Sequence, residues 1–519
     1  MSRARAHRLA LALFAAATLA ATARAGSGTT DVERDARLAA WDASEASRLE
    51  SFILSFPEET DDLDRALDEL PAGSHVRRLR RTLSGAVLRM RAPQARAFAE
   101  RHPRARLERD AVVTAQGFRT SAVRRTDRNR DDDDAAARVA SAFASESASA
   151  SASASATPSG GHADRSPLHW GLDRVDQRRL PLDGRATRDA SAGAGAVLYV
   201  VDSGVSVSHA DFGGRARVAH DAFAGTDISV SSGTDDCFGH GTAVASLAAG
   251  AEAGIAPAAE IVSIRVLDCD GNGLVSDVVS GLESVAEHLD AARDGKQNPS
   301  DADAVPSAVM TLSLGVPAGR ASRALDAAVR ALATTRNVAV VAAAGNSAGS
   351  ARRDDACAFS PGRARGALTV GASNADDRAW VDGMTGRCVD LFAPGVGVLG
   401  ASHVRDDAFA EWTGTSMAAP AVAGAILAAA ASRGTDGPSA AAGVLAAATR
   451  GALWDERDEV DAFADDDGDD GVFEFEGGGW GARDRNGGVT FPWGRVNARA
   501  PPGGFVLPGT PNRLLFHRE

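Results

Sequence analysis

The sequence predicts an α/β fold: a mainly parallel, doubly wound sheet with helices on both faces, preceded by a small α+β unit. Three observations lead there. Between about residues 166 and 450, short apolar runs alternate with helix-spaced stretches. The runs are almost unbroken, as strands covered on both faces are. Polar residues fall where those runs stop and helices start, and doubly wound sheets gather functional groups at that edge.

Composition sets the outer limits. At 519 residues the chain is too long for one ordinary core, so two or three units are expected. Hydrophobic residues make up 44%, enough for a large core. A net charge of −13 argues against nucleic acid as a main partner. Four cysteines, Cys237, Cys269, Cys357 and Cys388, form two close pairs and allow three connectivities. No Cys-x-x-Cys or nearby His pair favours a metal, so disulfides are expected.

The elements follow in order. Met1–Ala25 reads as an export signal: Arg3, Arg5 and Arg8, an apolar run from Leu9 to Ala21, then Ala23-Arg24-Ala25. That run is too short to span a bilayer, and no later stretch reads as a span. A secreted or extracellular product is expected, or one held in an endomembrane lumen. Leu49–Ala115 reads as a separate unit with strands at 52–56, 85–90 and 105–114, and helices at 61–70 and 92–101. Residues 116–165 are Arg-, Asp- and Ser-Ala-rich and read as a disordered linker. The main unit then runs from 166 to 450. Its strands are expected at 197–201, 261–267, 308–312, 338–342 and 368–370. Its helices are expected at 242–250, 276–293, 322–335, 417–431 and 439–448. Residues 451–519 are Gly-rich and acidic. They read as mostly loop, with a tail packing on the main unit.

Four residues carry the chemistry. Ser416, in Gly414-Thr415-Ser416-Met417-Ala418, opens an apolar helix whose proline, Pro420, reads as first-turn. Alone, such a serine is more often a cap than a nucleophile. Asp202 ends the first buried strand, where a carboxylate needs a partner. His240 lies between Gly239 and Gly241 at a helix start. A serine hydroxyl needs a base, and the base needs a carboxylate to fix its tautomer. Asp202, His240 and Ser416 can fill these roles. Asn346 follows another buried strand and could steady an oxyanion together with the Ser416 N–H, although a turn role also fits it.

Together these segments resemble the subtilisin-like serine peptidases, the subtilase family. The matching stretches are Val201-Asp202-Ser203-Gly204, Gly239-His240-Gly241-Thr242, Ala343-Ala344-Gly345-Asn346 and Gly414–Ala418. The Asp, His, Ser order is the subtilisin order. Trp170–Arg174, Gly213–Val218, Arg265–Asp268 and Pro511–Leu515 resemble the proteinase K branch, and within it aqualysin-like enzymes.

The resemblance implies disulfides Cys237–Cys269 and Cys357–Cys388. It implies that an extended peptide lies between Gly271-Asn272-Gly273 and Ser313-Leu314-Gly315. The S1 pocket would be walled by Ser313–Gly315 and Ala343, Ala344 and Gly345. Small uncharged walls suggest broad cleavage with an apolar or aromatic P1 preference. Asp268 and Asp270 would favour a basic P1 only if they faced the pocket, and a solvated rim suits them better. Leu49–Ala115 would be an inhibitor-type propeptide that helps folding and is cut near Ala115–Gly117.

Two positions depart from the family pattern: Ala243 and Ala421 stand where histidine is usual, and either could loosen packing. No cofactor is needed for the chemistry. A structural calcium is admitted but unassigned. Asp465, Asp467, Asp469 and Glu476 approach a calcium-loop spacing, but Asp470 stands where that loop needs glycine. Asn374 replaces an aspartate that often binds calcium in the branch.

The expected function is therefore a secreted, self-processing serine endopeptidase, acting on polypeptides as a monomer. The competing reading is a catalytically dead binding protein of the same fold. An α/β-hydrolase esterase is excluded, because Ser416 lacks a Gly-x-Ser-x-Gly elbow and the triad order differs.

Overall fold

The computed structural model describes residues 49–125 with breaks at 57–61, 71–73, 116–117 and 120–123. It describes 170–455 with breaks at 225–235, 295–306, 317–320 and 348–354, then four strands between 472 and 496, and 513–517. The expected export signal, most of the expected linker and the calcium-like residues Asp465 to Glu476 lie outside the described residues.

The N-terminal unit runs β1 (Leu49–Ser55), α1 (Asp62–Asp68), β2 (His75–Leu79), β3 (Gly85–Arg91), α2 (Ala92–Arg101) and β4 (Arg106–Arg109). Its antiparallel sheet is ordered β2-β3-β1-β4. Alternate residues of β1 serve opposite faces. Phe52 and Leu54 pack with Leu63, Ala66 and Phe98 of the two helices. Ile53 joins Val87 and Leu79 in a second core shared with the main unit. The Arg-rich β2 has no apolar alternation and was not expected. It forms because β3 offers it a free edge.

The expected strand at 105–114 is instead two. β4 ends at Arg109, and β5 (Val112–Ala115) leaves the unit. Asp110 makes the break: its carboxylate accepts from Ser51 Oγ at 2.7 Å and from Ser276 N, in the main unit, at 3.0 Å. Two short strands follow, β6 (Phe118–Arg119) and β7 (Arg124–Arg125).

The main unit opens with α3 (Trp170–Val175) and the strand β8 (Ala196–Asp202). Then come β9 (Ala216–Asp221), α4 (His240–Ala249), β10 (Glu260–Arg265), β11 (Asn272–Leu274) and α5 (Val275–Asp294). Next are β12 (Ser307–Leu312), β13 (Leu314–Gly315), α6 (Arg323–Thr335), β14 (Val338–Ala343), β15 (Ala367–Ser373) and β16 (Arg378–Ala379). The unit continues through β17 (Leu391–Pro394), β18 (Val398–Ala401), β19 (Ala408–Thr413), α7 (Thr415–Arg433), α8 (Gly437–Ala447) and β20 (Thr449–Arg450).

Parallel strands β17-β15-β14-β12-β8-β10-β9 form the central sheet. One face carries Leu198, Val200 and Val341 against α4 and α7. The other carries Tyr199, Val201 and Val340 against α5 and α6. Two-sided burial is why the strand sequences read as continuous apolar runs.

Helix α7 departs from expectation twice. It begins at Thr415, so Pro420 is interior rather than first-turn. Proline has no N–H to return to the carbonyl of Ser416. Ser313 Oγ donates to that oxygen instead, at 2.9 Å. The helix is also 19 residues long and apolar enough to cross a membrane by length and composition, although no later span was expected. Of its apolar window 89% is buried in this protein, so its hydrophobicity serves the core.

Beyond β21 (Trp454–Asp455), four antiparallel strands stand where loop was expected. They are β22 (Val472–Phe475), β23 (Gly479–Arg483), β24 (Val489–Phe491) and β25 (Gly494–Val496). Each is only three to five residues long, too brief for apolar periodicity to be read from the sequence. The tail strand β26 (Arg513–Leu514) pairs with β17 and β20.

Candidate active site

Asp202, His240, Asn346 and Ser416 come from four separate junctions at one end of the sheet. Asp202 ends β8 and is fully buried. Its Oδ1 accepts from Ser203 N at 2.8 Å and lies 2.7 Å from His240 Nδ1. His240 is the first residue of α4. Its ring lies between Phe238 and Trp412, with centroids 6.3 and 6.4 Å away. Asp202 Oδ2, His240 Nε2 and Trp412 Nε1 are buried without a hydrogen-bond partner among the described residues.

The flanking glycines are a steric demand. A Cβ on Gly239, at φ 92°, would meet His403 Nδ1 at 1.8 Å. One on Gly241 would meet the Gly204 carbonyl at 2.0 Å. Only hydrogen fits on either side of the imidazole.

Ser416 is fully buried in the second position of α7. Its Oγ donates to the Ser313 carbonyl at 2.9 Å, and the Ser313 hydroxyl returns a bond to the Ser416 carbonyl. The hydroxyl is thus turned to β12–β13 rather than hydrogen-bonded to His240. Asn346 Oδ1 accepts from Thr415 Oγ1 at 2.7 Å and from Thr415 N at 3.2 Å. Held by its oxygen, the carboxamide keeps its NH2 as the donor end.

The two expected peptide edges flank the chain's own β5. Asn272 pairs with Thr114 and Gly273 with Val113, while Ala115 N donates to Gly271 O at 3.0 Å. On the other side Leu314 pairs with Ala115 and Gly315 with Thr114. β5 is therefore the middle of a three-stranded antiparallel sheet. Ala343 and Ala344 are fully buried. Gly315 and Gly345 both back onto Phe359: added Cβ atoms would lie 2.0 Å from its Cζ and 3.0 Å from its Cε1. Asp268 folds inward on its own loop, accepting from Asp270 N and Asn272 N at 2.9 Å, and Asp270 is exposed.

The sequence profile of the subtilase family matches residues 193–473, more than half of the chain. This chain belongs to the subtilase family. An extracellular serine proteinase of Thermus sp. (strain Rt41A) is 43% identical over 51% of this chain and 57% of its own length. Alkaline serine exoprotease A of Vibrio alginolyticus is 38% identical over 50% of this chain and 43% of its own. The chain spans about half the length of these curated relatives. The solved structure of a cold adapted subtilisin-like serine proteinase is 36% identical, with TM-score 0.46, covering 56% of this chain and 94% of that one.

In this subtilase chain both cysteine pairs are bridged, Cys237–Cys269 and Cys357–Cys388. The first ties the loop before His240 to the loop before Gly271. Sequence reading missed Asp236. This buried carboxylate accepts from Ser203 Oγ (2.9 Å), Phe238 N (3.2 Å) and Gly239 N (2.8 Å) through Oδ1. It accepts from Thr242 N (2.9 Å) and Oγ1 (2.6 Å) through Oδ2. It thereby locks the Asp202 turn to the His240 turn. Its signal was an aspartate a few residues before a helix start, a capping pattern.

Ala243 is tightly packed: a Cβ on Gly400 would sit 3.4 Å from it and 3.3 Å from Trp412 Cδ1. Ala421 lines an apolar cavity of about 20 Å³. Asn374 Oδ1 is used within its own turn, by Asp376 N and Arg378 N. Among the described residues no group of three or more His, Cys, Asp or Glu side chains is placed to hold a metal ion.

Proposed function

We propose that this chain is a secreted, self-processing serine endopeptidase of the proteinase K branch, nearest to aqualysin-like enzymes. One observation carries the reading. The uncut chain threads β5 between the two edges expected to hold substrate, and resumes as β6 beside β19, a few residues before Ser416. The segment between β5 and β6 is where self-cleavage is expected, and Leu49–Ala115 is the inhibitor it releases.

The chemistry follows from the donors and acceptors. Asp202 fixes the proton of His240 on Nδ1, which leaves Nε2 as the basic nitrogen. Ser416 Oγ must swing from the Ser313 carbonyl to Nε2, give up its proton and attack the peptide carbonyl. The Asn346 NH2 and the Ser416 N–H would steady the oxyanion. His240 then protonates the leaving amine, and water releases the acyl group by the reverse sequence.

The pocket walls, backed by Phe359, support an apolar or aromatic P1. The inward turn of Asp268 tells against a basic one. A monomer is proposed. A structural calcium remains part of the proposal, and chelation should then lower the Tm; an unchanged Tm removes it.

The test is purified protein incubated with casein and a serine-directed fluorophosphonate, beside Ser416→Ala. Cleavage blocked by the reagent, and absent along with self-processing in the variant, is expected. Unlabelled, inactive wild type would favour the non-catalytic binding protein.

A further inference from the structure

The Cys237–Cys269 bond stands where two sides of the site meet, and a buried cation lies against it. Cys237 follows Asp236, the carboxylate that joins the Asp202 and His240 turns. Cys269 belongs to the short turn that carries β11. There Gly271 N donates to Asp268 O at 3.1 Å, and Asp268 N donates to Asn272 O at 2.7 Å. The bond ties the turn before the base to the edge expected to hold substrate, across 32 residues of sequence.

The cation is Arg265, at the end of β10 and 2% exposed. Its Nη2 points at both sulfurs, 3.4 Å from Cys237 Sγ and 3.9 Å from Cys269 Sγ. The guanidinium is fixed there. Nη1 donates to Asp221 Oδ2 at 3.3 Å, Nε donates to Leu267 O at 3.4 Å, and the Phe223 ring lies 5.2 Å from Cζ. A bridged sulfur is neutral and only a weak acceptor. A thiolate is an anion, and a neighbouring guanidinium favours it. Arg265 therefore does more for the reduced pair than for the bond it touches. Access differs as well: Cys269 is exposed and Cys237 half-buried. The other bridge is unlike this one. Cys357 and Cys388 are both half-buried, and Cys388 packs against the apolar cluster of Phe359, Met384 and Val389. Apolar surroundings disfavour a thiolate.

We infer that Cys237–Cys269 is a redox switch on the cleft, opened by dithiol reductants and closed by oxidation, with Arg265 as the group that makes it reducible. The activity readout of this inference rests on the proposed endopeptidase reading; the switch itself does not. One thiolate of the dithiol attacks Cys269 Sγ, the exposed sulfur. The S–S bond breaks, and Cys237 leaves with the electron pair beside Arg265. The second thiolate of the reductant then attacks the reductant's own sulfur in the mixed disulfide and releases Cys269. The reductant ends as a cyclic disulfide and the protein as two free cysteines. The two protons of the dithiol pass to the freed sulfurs or, where Arg265 holds a thiolate, to water. Reduction unties the turn of Asp236 from the turn that carries β11. The cleft then loses the fixed spacing between its base and its substrate edge.

The test equilibrates the enzyme, obtained from the full chain after self-processing, in a series of reduced and oxidised dithiothreitol. Free thiols are then alkylated and located by mass. Cys237 and Cys269 should be labelled at potentials where Cys357 and Cys388 remain closed. Casein cleavage should fall roughly tenfold or more in step with that labelling, and return on reoxidation. Arg265→Gln should shift the reduction equilibrium about tenfold toward the bond, or about 30 mV. A second variant, Cys237→Ser with Cys269→Ser, covers the case in which Arg265→Gln does not fold. It should cleave at the reduced enzyme's rate whatever the potential. Labelling of all four cysteines together, full activity with the first bridge open, full activity in the double variant, or an unmoved equilibrium in a folded Arg265→Gln overturns the inference. Oxidised enzyme that cuts no casein would instead count against the endopeptidase reading, while the labelling still tests the switch.

Discussion

Asp236 accepts hydrogen bonds from two strand–helix turns at once, and so sets the distance between Asp202 and His240. Asp236→Ala would strand those donors in a dry site. It should cost about 3 kcal/mol or more in urea unfolding and at least tenfold in kcat. Asp236→Asn, which keeps one accepting oxygen, should lose less of each. At Asn346 the case differs, because its proposed role is to donate to the oxyanion. Asn346→Ala should lower kcat by about two to three orders of magnitude while leaving KM nearly constant, the general size of losing one oxyanion donor. An unchanged kcat would show that the oxyanion is held elsewhere. Asp202, His240, Asn346 and Ser416 were legible because each sits in a short pattern with its own steric logic, such as a histidine that needs hydrogen on both sides. Asp236 was not, since its partners are scattered from Ser203 to Thr242. The Ser313–Ser416 exchange was hidden for the same reason: it joins residues 103 apart in sequence.

Two helices of the main unit are capped by carboxylates of the N-terminal unit. Glu108 accepts from Ser322 Oγ, Arg323 N (2.9 Å) and Ala324 N (2.7 Å) at the start of α6, while Asp110 reaches Ser276 N in the first turn of α5. In return, Glu283 of α5 accepts from Arg80 N, Arg81 N and Thr82 N. Unpaired N–H groups and the helix dipole favour an anion there, by about 1 kcal/mol per cap. On the proposed reading of Leu49–Ala115 as an inhibitor, removing both carboxylates, Glu108→Ala with Asp110→Ala, should weaken its inhibition of the processed enzyme about 10- to 100-fold in Ki; no change in Ki would mean that these two caps do not contribute to the proposed inhibition. The helices themselves were legible to within about two residues, because their apolar spacing is local. The start of α7 was misplaced, because Pro420 is tolerated mid-helix only where Ser313 supplies the missing donor.

At the scale of the molecule, three histidines among the described residues are pushed below their ordinary value near 6.5, chiefly by burial: His220, His288 and His517. Arg77, Arg217 and Arg433 add to the shift in turn. A lowered value in the fold means that the unfolded chain binds the proton first. Their contribution is therefore present above pH 6.5 and is lost as pH falls below it toward the folded values. The Tm should drop between about pH 7 and pH 5, and His517→Asn should make that drop shallower; a Tm flat across this window would refute the assignment. At more acid pH the half-buried carboxyls of Asp277, Asp326 and Asp390 work the other way. Burial raises them above 3.8, so the fold takes up their protons first and gains stability as pH falls through the raised values.

The sequence by itself determined the α/β class, the strand–helix order of the main unit and the four polar residues at its edge. Each of these is written in a window of a few residues, where periodicity and glycine sterics act. The disulfide pairing Cys237–Cys269 and Cys357–Cys388, implied by the family resemblance, is the pairing found; only the tertiary structure decided that Asp236 joins two turns, that Ser416 faces Ser313, and that the chain's own strands line β19. Those features depend on which distant segments the core brings together, and no local pattern encodes that distance.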